Sequence, residues 1–138
     1  MEKANPTFGQ PAAKQGDTVV GIDTHIIMIP SPGGPVPTPV PMPFNGKLTD
    51  GLSTDTYIEN VPAAIEGSVA DNVPPHVPAG GPFQSPPANK AKVQVGSQTV
   101  LINNKPAAML GSVAKTCNDP TDAPNGNVIA TSSVLVGG

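Results

Sequence analysis

The sequence predicts an all-β fold, and three observations lead to this prediction. Runs of β-branched residues with partly alternating polarity recur along the chain, glycine and proline punctuate them, and helix signals are nearly absent. In addition, Pro-Ala-Ala occurs three times, beginning at Pro11, Pro62 and Pro106. Each copy continues to the pattern P-A-A-x-x-G followed by Asp or Ser. Three copies with glycine at the same offset indicate an internally repeated β structure.

The length of the chain limits it to one domain. Its 138 residues leave no room for a second domain beside three repeats, which we place at approximately 9–55, 56–98 and 99–138. The 15 glycines and 19 prolines would also suit a disordered chain. Low charge content and patterned valines argue against disorder, because disordered chains are usually highly charged and poor in β-branched residues.

The first repeat is predicted to contain strands and a rigid loop. Residues 1–8 are polar and read as a flexible or partner-docking tail. The β-branched run from Thr18 to Ile29 predicts one or two short strands with a bend at Gly21. Residues 30–46 contain seven prolines. Since proline cannot donate to a strand ladder, this segment is predicted to be a rigid extended loop.

The second and third repeats carry clearer strand signals. Thr54 to Val61 is predicted to be a strand that enters the second Pro-Ala-Ala. The alternating run from Ala91 to Ile102 predicts a hairpin with its turn at Gly96-Ser97. A final strand is expected from about Val128 to Val136. The three Pro-Ala-Ala segments are interpreted as tight turns or single helical turns.

Each repeat contributes one residue that could bind a metal. His25 follows Pro11 by 14 residues, His76 follows Pro62 by 14 residues, and Cys117 follows Pro106 by 11 residues. The chain has no other histidine or cysteine. Imidazole and thiolate ligands suit zinc best, so we predict a structural Zn²⁺ site. The fourth ligand stays open between Asp119, Asp23, a water molecule and a group that the sequence does not reveal.

Charge and cysteine content exclude several classes of function. The net charge is −3, there is no arginine, and the seven lysines are scattered, so nucleic acid is not an expected partner. The N-terminal residues lack the charged and apolar regions of a signal peptide, and we expect synthesis in the cytoplasm. One cysteine cannot form an intrachain disulfide, and a metal is the obvious alternative for stabilising so small a core.

At these residues the sequence resembles the PAAR-repeat proteins. The resemblance is carried by the three P-A-A-x-x-G copies, the flank from Gln98 to Ala108, and the closing segment from Asn127 to Val136. The proline-rich segment from Ile29 to Pro41 resembles the loop of a PAAR-like subfamily. The resemblance covers nearly the whole chain from about residue 9.

The resemblance implies a fold, a role and a partner. PAAR-repeat proteins are the metal-pinned conical tips on the trimeric spikes of type VI secretion systems and related contractile injection machines. It therefore implies a small cone in which three repeats surround a pseudo-threefold axis, with the metal near the apex. One tip would cap one trimeric, VgrG-like spike protein at the end of a secreted or extracellular particle and touch the target membrane transiently. The family usually has a histidine-rich ligand set, whereas this chain has no third histidine.

The resemblance also implies a structural protein that is not an enzyme. Since no extension follows Gly138, we expect no fused toxin domain and expect any effector cargo to bind non-covalently. Two alternatives remain from the residues, a metal-dependent hydrolase and a disordered proline-rich adaptor that presents Pro32 to Pro41 to a partner. Against the first, the chain has neither an H-E-x-x-H helix nor a G-x-S-x-G elbow, and the base that Cys117 would need as a nucleophile is already assigned as a metal ligand.

Overall fold

β-strands are the only regular secondary structure in the part of the chain that the computed structural model describes, residues 9–137. The predicted all-β class is confirmed. No helix in this part is long and apolar enough to cross a membrane. The prediction of a tail over residues 1–8 lies outside the described residues.

Twelve strands occur within residues 9–137. In chain order they are β1 (Gln10–Pro11), β2 (Thr18–Ile29), β3 (Val36–Asp50), β4 (Tyr57–Ile58), β5 (Val61–Pro62), β6 (Val69–Asn72), β7 (Lys90–Val93), β8 (Leu101–Ile102), β9 (Lys105–Pro106), β10 (Val113–Thr116), β11 (Ala123–Ile129) and β12 (Leu135–Val136).

Six of these strands form one closed antiparallel sheet. Its order is β10-β11-β2-β3-β6-β7, and β7 pairs back onto β10. Small and medium apolar side chains fill its interior, because alternate residues of each strand point inward. The largest fully buried side chains of this core cluster are Phe44, Leu48, Val19, Val93 and Val128.

The other six strands form three two-residue antiparallel pairs, β1–β12, β4–β5 and β8–β9. The second strand of β4–β5 and of β8–β9 ends in the proline of a Pro-Ala-Ala copy, and so does β1. The turn of β4–β5 consists of Glu59 and Asn60, both with positive φ, and that of β8–β9 of Asn103 and Asn104, also with positive φ. This backbone is typical of tight hairpins. The predicted strand from Thr54 to Val61 is therefore wrong, because a turn divides it.

The three Pro-Ala-Ala segments are joined by a closed ring of backbone hydrogen bonds. The N–H of Ala13 donates to the carbonyl of Ala108 at 2.9 Å, Ala108 donates to Ala64 at 3.0 Å, and Ala64 donates to Ala13 at 3.0 Å. All three alanines are at most 1% exposed. Larger side chains would have to displace packed atoms at this point, which accounts for alanine at the third position of the motif.

The remaining motif positions form tight turns, as predicted. The motif glycines have φ values near +90°, a conformation that glycine adopts without steric cost. The Asp or Ser that follows each glycine accepts a hydrogen bond from the backbone N–H three residues earlier, which closes the turn. The glycines are Gly16, Gly67 and Gly111, and the closing pairs are Lys14–Asp17, Ile65–Ser68 and Met109–Ser112.

Much of the proline-rich segment belongs to β3, so the predicted rigid loop over residues 30–46 is wrong from residue 36 onward. The prolines of β3 lie at alternate positions and are exposed. Ile26 and Met28 are cross-strand partners of two of these prolines, yet their backbone groups point to the opposite edge of β2. There the N–H of Met28 donates to the carbonyl of residue 82, and the carbonyl of Ile26 accepts the N–H of residue 84. The proline nitrogens, which carry no hydrogen, therefore face away from β2, and the ladder between β2 and β3 loses no hydrogen bond.

The predicted hairpin from Ala91 to Ile102 is also wrong. β7 pairs with β6 and β10, whereas β8 pairs with β9. Ser97 is 1% exposed, donates its N–H to the carbonyl of Ala107, and accepts the N–H of Val100 through its hydroxyl. Gly96-Ser97 thus packs against the third Pro-Ala-Ala instead of closing a turn between two paired strands.

Two further strand predictions are decided by the observed bounds. The run from Thr18 to Ile29 is one strand, β2, which is continuous through Gly21. The predicted final strand from about Val128 to Val136 is wrong, because residues 130–134 separate β11 from β12.

The alanine ring should be intolerant of larger side chains. We expect Ala64→Leu to lower the free energy of unfolding by about 1–3 kcal/mol, because overpacking must displace the ring's hydrogen bonds. Urea denaturation would measure the change. Ala88→Leu, at an exposed position, is the matched control and should have almost no effect. Equal effects of the two substitutions would contradict the role given to the ring.

The alternating prolines should protect the outer edge of β3. Between Val36 and Pro43, no strand within residues 9–137 pairs with that edge. Replacing Pro37 and Pro39 with Thr supplies two N–H groups to an exposed edge, so we expect self-association in sedimentation velocity, with the melting temperature of the monomer retained. A double variant that remains monomeric at the same concentration would show that the prolines have no such protective role.

Candidate metal centre

Four side chains from three separate segments converge inside the fold. They are Asp23 and His25 on β2, His76 after the end of β6, and Cys117 after the end of β10, and one ligand atom of each lies within 4.8 Å of the others. All three residues predicted from the repeat spacing, His25, His76 and Cys117, are therefore brought together. The cluster also contains Asp23, one of the alternatives for the fourth ligand.

The alternation of β2 places two of the four side chains on one face. Asp23, His25 and Ile27 are buried, whereas Ile22, which directly precedes Asp23 in the strand, is 56% exposed. Residues two apart in a strand point to the same side. Asp23 Oδ2 and His25 Nε2 consequently lie 4.0 Å apart.

Two asparagines hold His76 in place. The backbone N–H of His76 donates to Asn89 Oδ1 at 2.8 Å, and the same oxygen accepts a bond from Asn72 Nδ2 at 3.1 Å. Asn72 Nδ2 also lies 3.3 Å from His76 Nδ1. These contacts direct Nε2 of His76 toward Asp23 Oδ2, at 2.9 Å. Sequence reasoning did not identify either asparagine, although Asn72 precedes the histidine by only four residues.

Cys117 begins a loop that docks on β2. Its Sγ lies 3.3 Å from Asp23 Oδ2 and 3.6 Å from His25 Nε2. In the residues that follow, Asn118 Oδ1 accepts the N–H of Thr24 at 2.8 Å, and the N–H of Asp119 donates to the carbonyl of Thr24 at 2.9 Å. The loop of the third repeat is thereby fixed to the strand that carries the ligands of the first.

The geometry separates the two carboxylates considered for the fourth position. Asp23 Oδ2 is within 4.0 Å of a donor atom from each of His25, His76 and Cys117. Asp119 Oδ2 instead lies 3.6 Å from Nδ1 of His25, the ring nitrogen on the side away from Cys117. Asp23 therefore belongs to the cluster, and Asp119 lies behind one of its histidines.

The electrostatics of the cluster favour a bound cation. Asp23 is fully buried and His25 is 1% exposed, yet Oδ1 of Asp23 and Nδ1 of His25 have no hydrogen-bond partner. Buried polar groups without partners are costly. Burial, together with the nearby Asp23 carboxylate, raises the pKa of the Cys117 thiol to about 11. A metal ion would compensate the charge of the Asp23 carboxylate, and it would displace the proton of the Cys117 thiol and bind the resulting thiolate.

The donor set fits a four-coordinate divalent transition metal. One carboxylate oxygen, two imidazole nitrogens and one sulfur are all ligand types that Zn²⁺ accepts in proteins. The rings of Phe44 and Phe83 lie against the two histidines, with centroids 6.3 Å from that of His76 and 6.0 Å from that of His25. His76 also lines a surface pocket together with Asn72 and Val77.

A scan against protein-family models found no matching family. A search of curated proteins likewise found no match to the sequence.

If the cluster binds a structural zinc ion, its removal should destabilise the protein. Structural zinc sites contribute on the order of 10 kcal/mol of apparent folding free energy in small domains. We therefore expect zinc removal by a strong chelator to lower the melting temperature by about 10 °C or more, with recovery after zinc is restored. Calorimetry with elemental analysis of each sample would measure this, and Cys117→Ala should respond little to either treatment. An unchanged melting curve after verified zinc removal would contradict the structural role of the metal.

Proposed function

We propose that this chain is a structural tip protein that caps the trimeric spike of a contractile injection system and forms a zinc-stabilised piercing point. The observation that carries the proposal is the closed ring of hydrogen bonds between Ala13, Ala64 and Ala108. Each alanine makes the same two bonds to the other two. Such a ring is expected if three equivalent units surround a common axis, and it therefore supports a pseudo-threefold arrangement.

The pairing of the strands supports the same arrangement. In our proposal each repeat contributes two neighbouring strands of the closed sheet, β2–β3, β6–β7 and β10–β11. The second and third repeats each contain a two-residue pair, β4–β5 and β8–β9, and the first repeat obtains the corresponding pair when β1 joins β12 from the other end of the described chain. A single polypeptide built in this way can present three similar surfaces to a trimer.

The course of the strands supports a conical tip with the metal at its apex. β2, β6 and β10 each begin directly after a Pro-Ala-Ala turn, so all three leave the alanine ring in the same direction. Asp23 and His25 lie along β2, and His76 and Cys117 follow the ends of β6 and β10. We infer that the ring marks the base, that the ligands lie toward the apex, and that the bound ion is Zn²⁺.

Three apolar side chains at corresponding positions support a threefold docking surface. Tyr57, Leu101 and Leu135 are 58–62% exposed, and each pairs directly with the proline of a Pro-Ala-Ala copy. Exposed apolar groups arranged in this way are suited to a partner that has three equal subunits. We expect the interface to bury at least the area of a standard protein interface, about 1,600 Å² in total, because the tip must withstand load. We name Tyr57, Leu101 and Leu135 the base triad.

In this proposal the chain has no catalytic role. It is made in the cytoplasm and travels at the end of a secreted or extracellular particle, where it meets the target membrane transiently. Effector cargo would bind without a covalent link. The burial of the ligand candidates supports a structural metal, because no more than 3% of the side chain of His25, His76 or Asp23 is exposed, and Cys117 is 3% exposed.

Native mass spectrometry with a trimeric spike protein from the same gene cluster tests the proposal. We expect one chain per trimer. Replacing the base triad with Asp should abolish the complex, because three charges would be buried against the spike. The control is Val36→Asp, at an exposed apolar position of β3, which should bind normally. Three chains per trimer, or binding that survives in the triple variant, would contradict the proposed docking mode.

A further inference from the structure

The residues after Cys117 follow the free edge of β2 as a short strand would. Two side-chain oxygens replace backbone carbonyls as acceptors: Asn118 Oδ1 accepts the N–H of Thr24, and Asp119 Oδ2 accepts the N–H of Ile26 at 2.9 Å. The N–H of Asp119 returns a bond to the carbonyl of Thr24. These three hydrogen bonds involve Thr24 and Ile26, the residues on either side of His25, and they hold the Asp119 carboxylate beside β2.

This placement brings a carboxylate to the second ring nitrogen of a metal-ligand candidate. His25 Nδ1 is buried and has no hydrogen-bond partner, and Asp119 Oδ2 lies 3.6 Å from it. The side chain of Asp119 is 14% exposed, so its charge is only partly screened by water. The two histidines differ in this respect, because Nδ1 of His76 faces the amide nitrogen of Asn72 instead.

We propose that Asp119 is a positioning residue that holds the proton of His25 on Nδ1 and so keeps the lone pair of Nε2 available to the metal. This proposal rests on the metal site described above. A neutral imidazole carries one proton, and coordination through Nε2 requires that proton on Nδ1. A carboxylate in contact with Nδ1 stabilises that tautomer and fixes the orientation of the ring. The contact of 3.6 Å needs to shorten by only a few tenths of an ångström to become a hydrogen bond.

The resulting prediction concerns zinc affinity. Asp119→Asn keeps the size of the side chain and an oxygen for the N–H of Ile26, but it removes the charge that holds the Nδ1 proton. We expect it to weaken zinc binding by about 10-fold, and Asp119→Ala to weaken it by up to about 100-fold, as for comparable partners of metal-bound histidines. Competition with a chromophoric chelator would measure both values. Asp122→Asn, an exposed carboxylate of the same loop, is the control and should bind zinc as the wild type does.

A spectroscopic measurement separates positioning from a general loss of structure. Long-range ¹⁵N–¹H correlation spectra of the zinc-loaded wild type should show His25 with its proton on Nδ1. The absorption spectrum of the Co²⁺-loaded protein should change in Asp119→Asn while the melting temperature of the metal-free protein does not. Wild-type affinity in Asp119→Asn, or a proton on Nε2 of His25, would overturn the proposal and leave the metal site intact. A wild-type chain that binds no zinc would overturn both.

Discussion

Three alanine peptide groups that bond to one another in a closed ring are the constraint on which the rest of the structure depends. Each of Ala13, Ala64 and Ala108 donates to one of the other two and accepts from the remaining one, and all three are buried. A buried backbone group must find a partner, and here each repeat supplies the partner of the next. The strands that leave the ring can then pair sideways into a closed sheet, in which β2 and β3 extend beyond their outer neighbours.

A metal ion at the candidate site would compensate for what the small core lacks. Much of the interior is alanine, and Phe44, Ile27 and Leu48 are the largest apolar side chains that are fully buried. A core of this kind provides limited hydrophobic stabilisation, and small domains often add a metal for that reason. The ligands come from three segments that are far apart in sequence, so one ion would connect them. The same ion would neutralise the buried Asp23 carboxylate, which otherwise lacks a partner for Oδ1.

Sequence reasoning succeeded where a local pattern has a single physical meaning. The glycine of the motif needs positive φ, and the spacing of His25, His76 and Cys117 from their motifs identified three residues that the fold brings together. It failed where pairing partners decide the outcome. Prolines at alternate positions of β3 could not be recognised as a strand without knowing that β2 bonds only to the residues between them. Asp23 could have been preferred over Asp119, because it lies two residues before His25 in a strand and must share its face.

The central claim is that one metal ion is held by Asp23, His25, His76 and Cys117. X-ray absorption at the zinc edge of the loaded protein tests it most directly. The account predicts a four-coordinate ion with one sulfur at about 2.3 Å and three nitrogen or oxygen ligands at about 2.0–2.2 Å, and a spectrum without sulfur in Cys117→Ala. A wild-type spectrum with no sulfur ligand, or one with six oxygen ligands, would contradict it.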